Sequence, residues 1–226
     1  MRLVLLHALP LDARMWNSIR MRYPDAYVPT LYGLGSAVCD WAAAILSACS
    51  HEDLLVVGSS IGGSCALEMA RTAPNQVRGV VLASAKPSVR RDPRTRDEVI
   101  QLLNGDGVAS AWDRYWAPLF STQTRPEVVA AARTIAFQQD VNDLVTGVQA
   151  FYDRPDNSEF VKSWGGRLLV VSGADDQTPT PATAVREIAG TRAKHVIVER
   201  SGHYVPLEQP AIFWRVFRQQ GWPPTA

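Results

Sequence analysis

The segment Val56-Val57-Gly58-Ser59-Ser60-Ile61-Gly62-Gly63 constrains the fold of this chain more than any other. An apolar, β-branched run leads into it and a helical pattern follows it, so the chain must turn sharply from a strand into a helix. Gly58 and Gly62 lack the Cβ atoms that would clash as the two arms of this turn approach each other. The turn exposes the hydroxyl of Ser60 at its apex, where the N-terminus of the helix favours negative charge. The segment therefore predicts that Ser60 is a nucleophile.

Short apolar runs alternate with helical patterns along most of the sequence. This alternation predicts an α/β fold, with a mostly parallel sheet covered by helices. The chain has 226 residues, which is enough for one domain with a sizeable core. The candidate strands are Leu3–Leu6, Ala26–Val28, Asp53–Val57, Val77–Ala83, Arg167–Val171 and His195–Val198. We expect a single domain over residues 1–226 with a sheet of about six strands.

The alternation stops between about residues 87 and 164, where only helical patterns remain. We predict that this stretch is a helical lid over the carboxyl edge of the sheet, where ligands bind in open α/β folds. The stretch is rich in aromatic residues, and we interpret most of them as packing the insertion against the core. The candidates for a substrate pocket are Trp112, Trp116, Phe137 and, near the C-terminus, Tyr204.

A serine hydroxyl is a weak nucleophile until a neighbouring base accepts its proton. The chain has four histidines, and His203 is the best placed of them to be that base. It follows the last predicted strand, within Ser201-Gly202-His203-Tyr204. The other three, which we expect to be structural or exposed, are His7, His51 and His195.

An acid should fix the tautomer of the histidine and stabilise its charged form. Asp175 and Asp176 both follow the predicted strand Arg167–Val171, so either can reach the same edge of the sheet. The order Ser, Asp, His along the chain is the order expected when a serine nucleophile lies on a strand–turn–helix of this kind. The spacing alone does not choose between the two aspartates.

The composition excludes several other classes of protein. A formal net charge of +1 and the absence of a basic cluster interleaved with aromatic residues argue against a nucleic-acid partner. The three cysteines have no metal-site or disulfide spacing, which suits a reducing compartment. No apolar run approaches the roughly 18 residues of a membrane-spanning helix, and polar residues interrupt the first strand too early for a signal peptide. We expect a cytoplasmic protein with no metal and no cofactor, whose oligomeric state the sequence does not indicate.

One group of basic residues lies close together in the sequence, and we interpret it as part of a solvated loop. Its members are Lys86, Arg90, Arg91, Arg94 and Arg96.

Four segments together resemble the α/β-hydrolase superfamily, especially its small esterases and enol-lactonase-like members. With their strands they span nearly the whole chain in the family's order. They are Leu5-Leu6-His7-Ala8-Leu9-Pro10-Leu11-Asp12, Gly58–Gly63, Gly173-Ala174-Asp175-Asp176 and Gly202-His203. In that family the acid closes a Gly-x-x-Asp pattern, so the resemblance implies that Asp176 is the third catalytic residue. It also implies that the backbone N–H groups of Leu9 and Ile61 form the oxyanion hole.

Three features depart from the family pattern. His7-Ala8 replaces the usual His-Gly pair, so a Cβ lies in the oxyanion turn, and the family implies that His7 orders this loop. Residues 30–35 match the usual Asp-x-x-Gly-His-Gly only at the glycines. The sequence opens directly at the strand before the oxyanion loop, so we expect the leading antiparallel strands to be missing.

The function that these residues predict is hydrolysis of a small to medium carboxylic ester or lactone through an acyl-enzyme on Ser60. A carbon–carbon bond hydrolase, a cofactor-free perhydrolase and a hydroxynitrile lyase use the same triad and remain alternatives. A haloalkane dehalogenase is disfavoured because it needs a carboxylate where Ser60 stands. A non-catalytic small-molecule binding protein of the same fold is the alternative from a different class.

Overall fold

The computed structural model describes residues 1–89 and 91–222. Five strands form one sheet in which every neighbouring pair is parallel and the spatial order follows the chain. The strands are β1 (Arg2–Leu6), β2 (Leu54–Ser59), β3 (Val77–Ala83), β4 (Arg167–Gly173) and β5 (Lys194–Val198). Because all the strands run the same way, the loops that follow them meet at one edge.

The sheet formed by the described residues has five strands, whereas the sequence predicts about six. The run Ala26–Val28 makes only an isolated bridge beside β1, between Val4 and Tyr27. Two backbone hydrogen bonds hold this bridge, from Tyr27 N–H to Leu3 O and from Leu5 N–H to Tyr27 O. Pro29 follows directly and has no N–H with which to extend the pairing.

The helices of the described residues connect and cover these strands. The helices outside the β3–β4 connection are α1 (Asn17–Arg20), α2 (Val38–Ala48), α3 (Ile61–Thr72), α9 (Pro181–Glu187), α10 (Val205–Glu208) and α11 (Pro210–Gln219). Helices α2 and α3 pack on each other, with α3 also against β1, β2 and β3, while α11 packs on β5 and α1. Residues 61–70 of α3 are buried on every side, which places the core directly beneath the serine turn.

The connection between β3 and β4 contains only helices within its described part. They are α4 (Pro93–Gly105), α5 (Gly107–Ala111), α6 (Pro126–Phe137), α7 (Val141–Asp153) and α8 (Ser158–Ser163), with a π-helical turn at Trp112–Trp116 and a 3₁₀ turn at Ala117–Leu119. We call residues 93–163 the inserted helices. That they act as a lid on a single domain stays a prediction.

Within the described ranges, no helix combines the length and the apolar character that crossing a bilayer requires. The same residues contain no group of three or more His, Cys, Asp or Glu side chains placed to hold a metal ion.

Candidate active site

Ser60 lies at the turn between β2 and α3 in a strained backbone conformation. Its φ is 53° and its ψ is −116°, a region that non-glycine residues rarely occupy. Two backbone hydrogen bonds hold it there, from Ser60 N–H to Ala83 O (3.0 Å) and from Gly63 N–H to Ser60 O (2.9 Å). The neighbouring strand and the first turn of the helix therefore impose the conformation that the sequence motif predicts.

Gly58 and Gly62 are required by the close approach of backbone on either side of Ser60. A Cβ on Gly58 would lie 2.1 Å from Gly62 O, and a Cβ on Gly62 would lie 2.4 Å from Leu6 O. Both distances are far shorter than a van der Waals contact, and the atoms approached belong to the rigid backbone. Neither position therefore accepts a side chain unless the turn opens. The glycines thus allow the helix to begin directly behind the serine.

Asp176 and His203 form a buried pair at the ends of β4 and β5. His203 Nδ1 lies 3.1 Å from Asp176 Oδ2 and 3.2 Å from Oδ1. The N–H of Thr178 donates to Asp176 Oδ1 at 2.9 Å, which orients the carboxylate. A carboxylate accepts from Nδ1–H, so Nε2 of His203 is left as the proton acceptor. This is the arrangement that a general-base histidine needs.

Asp175, the alternative acid, faces a different partner. Its carboxylate accepts a hydrogen bond from the hydroxyl of Ser121, and its backbone N–H donates to Ser201 O at 2.9 Å. Only Asp176 of the two contacts His203 within the described residues. The geometry therefore separates two residues that the sequence leaves equivalent.

Glu208 is a site residue that the sequence reasoning missed. Its side chain is buried, and its carboxylate accepts from the backbone N–H groups of Ser121, Gly202 and Tyr204, each at 2.9 Å. It also accepts from the hydroxyl of Thr124. The carboxylate thus ties the loop that carries His203 to the inserted helices. The sequence does carry a signal for it: Glu208 lies in the largely apolar stretch that follows His203. Acidic side chains are rarely buried without partners, so an acid there indicates a buried hydrogen-bonding role.

We expect Glu208→Gln to lower the free energy of unfolding by about 1–3 kcal/mol, because the amide NH₂ would face buried donors and leave them unsatisfied. The measurement is chemical denaturation followed by circular dichroism. Glu159→Gln is the matched control, since Glu159 is exposed and its one ion-pair partner among the described residues is Lys162. An equal effect of the two substitutions would contradict the proposed tether.

Ser60 and His203 both line a cavity of about 590 Å³. This volume lies within the usual range for a small-molecule site. Among the described residues, no hydrogen bond yet joins Ser60 Oγ to the imidazole. Such contacts are commonly loose before a substrate is bound. The Ser60 hydroxyl and the His203 imidazole nevertheless border the same cavity.

The two backbone donors predicted for the oxyanion hole have no acceptor among the described residues. Ile61 is the first residue of α3, where a helix leaves its N–H unsatisfied, and Leu9 lines the cavity. The carbonyl of Leu9 accepts from the hydroxyl of Tyr204 at 3.0 Å, which holds the loop from behind. Ala8 is buried and is not among the described non-glycine residues with positive φ, so its Cβ does not strain this loop.

His7 acts as a tether of the same loop. Its Nε2 accepts from Leu31 N–H at 2.8 Å, so Nδ1 carries the proton and faces Ala8 O at 3.2 Å. Complete burial lowers the pKa of His7 to about 4, against the opposing effects of the Ala8 carbonyl and Asp12. His7 is therefore neutral at neutral pH, and each of its ring nitrogens forms a hydrogen bond with a backbone group.

Of the four predicted pocket residues, the cavity wall contains only Trp116. Trp112 packs against Phe120 and Phe137, and Phe137 lies at the surface against Arg133. Tyr204 is fully buried behind Leu9. The aromatic residues of the wall that the sequence reasoning did not choose are Tyr115, Phe151 and Tyr152. Helical register decides which aromatic side chains face the cavity, and the sequence does not determine it.

Lys86 corrects the interpretation of the basic group as a solvated loop. Its side chain is half-buried, lines the cavity and lies 3.9 Å from Glu187. Arg94 and Arg96 also depart from it, because both lie in α4 rather than in a loop, whereas Arg91 is exposed and precedes that helix. Arg90 lies outside the described residues.

Comparison with known proteins decides the family. Residues 3–216 match the model of the alpha/beta hydrolase family. The chain belongs to the alpha/beta hydrolase family. The predicted family resemblance and fold class are therefore confirmed.

Individual relatives of this alpha/beta hydrolase are distant. A pimeloyl-[acyl-carrier protein] methyl ester esterase from Salmonella newport is 23% identical over 230 residues, which cover 93% of this chain and 90% of that protein. An esterase from Thermogutta terrifontis, solved with malate bound, has a TM-score of 0.89 at 21% identity, covering 97% of this chain and 89% of that one. An enol-lactonase from Burkholderia xenovorans LB400 has a TM-score of 0.82 at 18% identity, covering 96% and 89%. At these identities the structural likeness establishes the fold.

Proposed function

We propose that this alpha/beta hydrolase cleaves a carboxylic ester or a lactone of small to medium size through an acyl-enzyme on Ser60. One observation carries the proposal: the strained serine and the His203–Asp176 pair open onto one cavity at the carboxyl edge of the sheet. The names of the relatives support it, since they include esterases and an enol-lactonase.

The chemistry begins at the serine hydroxyl. His203 Nε2 accepts the proton as Ser60 Oγ attacks the substrate carbonyl, and Asp176 stabilises the imidazolium that forms. The developing oxyanion accepts hydrogen bonds from the N–H groups of Leu9 and Ile61, at the positive end of the α3 dipole. His203 then donates its proton to the leaving alcohol, which completes the acyl-enzyme.

Water releases the acyl group by the reverse sequence of proton transfers. His203 takes a proton from water, the resulting hydroxide attacks the acyl carbonyl, and Ser60 leaves with the proton returned by His203. In a lactone the leaving alcohol and the acyl group stay joined, so the product of the cycle is a single hydroxy acid. The atoms and protons of this cycle balance with the substrate, the residues of this chain and one water molecule.

The test is covalent labelling combined with a substrate screen. We expect a fluorophosphonate probe to modify Ser60 specifically, as identified by mass spectrometry of the digested protein. Turnover of 4-nitrophenyl esters should show an initial burst when deacylation is slower than acylation. Labelling at a different residue, or ester hydrolysis that survives complete modification of Ser60, would overturn the proposal. A panel of acyl chain lengths and lactones then ranks the substrates.

A further inference from the structure

Arg154 is a buried cation in the wall of the same cavity. It follows α7, and only 7% of its surface is exposed. Its guanidinium stacks 4.0 Å from the centre of the Phe151 ring, and it donates a hydrogen bond to Phe151 O. These contacts hold the group against Phe151, and the hydrogen bond uses one of its five N–H donors.

Within the part of the chain that the structure describes, Arg154 forms no ion pair within 4 Å. Burial lowers the pKa of Arg154 to about 10, against the opposing effects of Tyr152 and Asp156. The group therefore stays charged at neutral pH. A buried charge without a counter-ion is costly, and the cost is recovered where a ligand supplies the opposite charge.

Among the described residues, the other charged side chains that line the cavity have partners of their own and form no ion pair with Arg154. Lys86 lies near Glu187, and the Asp92 carboxylate accepts from both the N–H and the hydroxyl of Thr95 at 3.0 Å. The cation Lys86 and the anion Asp92 are therefore engaged with protein partners, and the positive charge of Arg154 lines the cavity without an ion pair among the described residues. This balance matches a monoanion, and the planar fork of a guanidinium matches a carboxylate.

We propose that Arg154 binds a free carboxylate on the substrate, so that the substrate is an ester or lactone that also carries a carboxylate group. The inference rests on the proposed hydrolysis at Ser60 and names its substrate class. Simultaneous contact with Arg154 and Ser60 sets the separation between the carboxylate and the scissile carbonyl. The hydrolase should therefore select one chain length in a series.

The first experiment compares substrates that differ only in charge. Monomethyl succinate, adipate and suberate are each paired with the methyl ester of the corresponding monoamide, which has the same shape and no charge. We expect kcat/KM for the best acid to exceed that for its amide by about tenfold or more, as for a hydrogen bond between charged groups. Equal values for acid and amide throughout the series would overturn the inference.

The second experiment removes the cation. We expect Arg154→Gln to lower kcat/KM for the preferred acid by about tenfold or more, and to change the value for its amide by less than about twofold. Arg133→Gln is the matched control, because Arg133 also stacks on an aromatic ring, Phe137, but is exposed and does not line the cavity. A parallel loss for acid and amide in Arg154→Gln would show a structural role and contradict the proposal.

Two further measurements keep the inference testable if Arg154→Gln does not fold or if none of these esters is hydrolysed. Arg154→Lys keeps the positive charge but loses the planar fork of the guanidinium. We expect its ratio of kcat/KM for the acid to kcat/KM for the amide to lie between the wild-type ratio and one. Calorimetric titration of Ser60→Ala with monomethyl adipate measures binding without turnover, and the amide should bind about tenfold more weakly. Equal affinities of this variant for the acid and the amide would overturn the carboxylate site.

The two proposals can fail separately. Hydrolysis of neutral esters without a preference for acids would overturn only the carboxylate site, whereas absence of both turnover and fluorophosphonate labelling would overturn the proposed function.

Discussion

Replacement of Ser60 by alanine is expected to lower kcat for ester hydrolysis by about 10⁵- to 10⁶-fold, because no acyl-enzyme can form without the hydroxyl. The measurement is the steady-state rate with 4-nitrophenyl acetate or the best ester of the panel. KM should change far less, since the walls of the cavity and the oxyanion donors remain. The thermal unfolding of Ser60→Ala should match that of wild type.

Ser59→Ala is the matched control for this prediction. Ser59 is adjacent in the sequence and fully buried, and its hydroxyl has no hydrogen-bond partner among the described residues. It does not line the cavity, so its removal should leave kcat within about twofold of wild type. Retention of activity in Ser60→Ala, or a similar loss in both variants, would rule out Ser60 as the nucleophile.

Asp176→Asn is expected to lower kcat by about 10⁴-fold with little change in the fold. An amide at this position can donate to the ring, which favours the tautomer whose proton lies on Nε2 of His203. That tautomer cannot accept the proton of Ser60. The imidazolium formed in the reaction also loses its neighbouring negative charge. The measurements are the steady-state kcat and the rate of fluorophosphonate labelling, of which the second does not depend on product release.

Asp175→Asn serves as the control for Asp176→Asn. Asp175 contacts Ser121 and not His203, so its amide should leave kcat within about tenfold of wild type. A loss at position 175 as large as that at 176 would mean that the loop, rather than the carboxylate contact, controls the rate. A large loss at 175 alone would assign the acid to Asp175.

The loops next to Ser60 also pack with their backbones in close contact. A Cβ on Gly173 would lie 2.0 Å from Gly202 O, and a Cβ on Gly202 would lie 2.3 Å from Leu119 O. The loops that carry Asp176 and His203 therefore pack backbone against backbone, and Glu208 accepts hydrogen bonds from the N–H groups of Gly202 and Tyr204 on either side of His203. Such packing holds the pair with little freedom, as preorganised catalysis requires.

Several parts of this molecule could be predicted from the sequence because the signals are local. The alternation of apolar runs with helical patterns determines an α/β sheet, and two glycines with a serine between them determine the turn at Ser60. The position of His203 directly after a strand places it at the same edge. Each signal depends on neighbours within a few residues, for which backbone geometry leaves few solutions.

Other parts were decided only by the tertiary structure. Ala26–Val28 fails to become a strand because Pro29 ends its pairing, whereas Asp176 is separated from Asp175 only by which carboxylate reaches a histidine 27 positions away. The cavity wall depends on the rotation of the inserted helices, which brings Arg154 inward and leaves Phe137 at the surface. The sequence by itself determined the strained turn at Ser60, the position of His203 after a strand and the parallel sheet that carries both, since these follow from short-range geometry. The pairing of His203 with Asp176, the Glu208 tether and the positive charge in the cavity wall depend on contacts between distant segments, which exist only once the chain is packed.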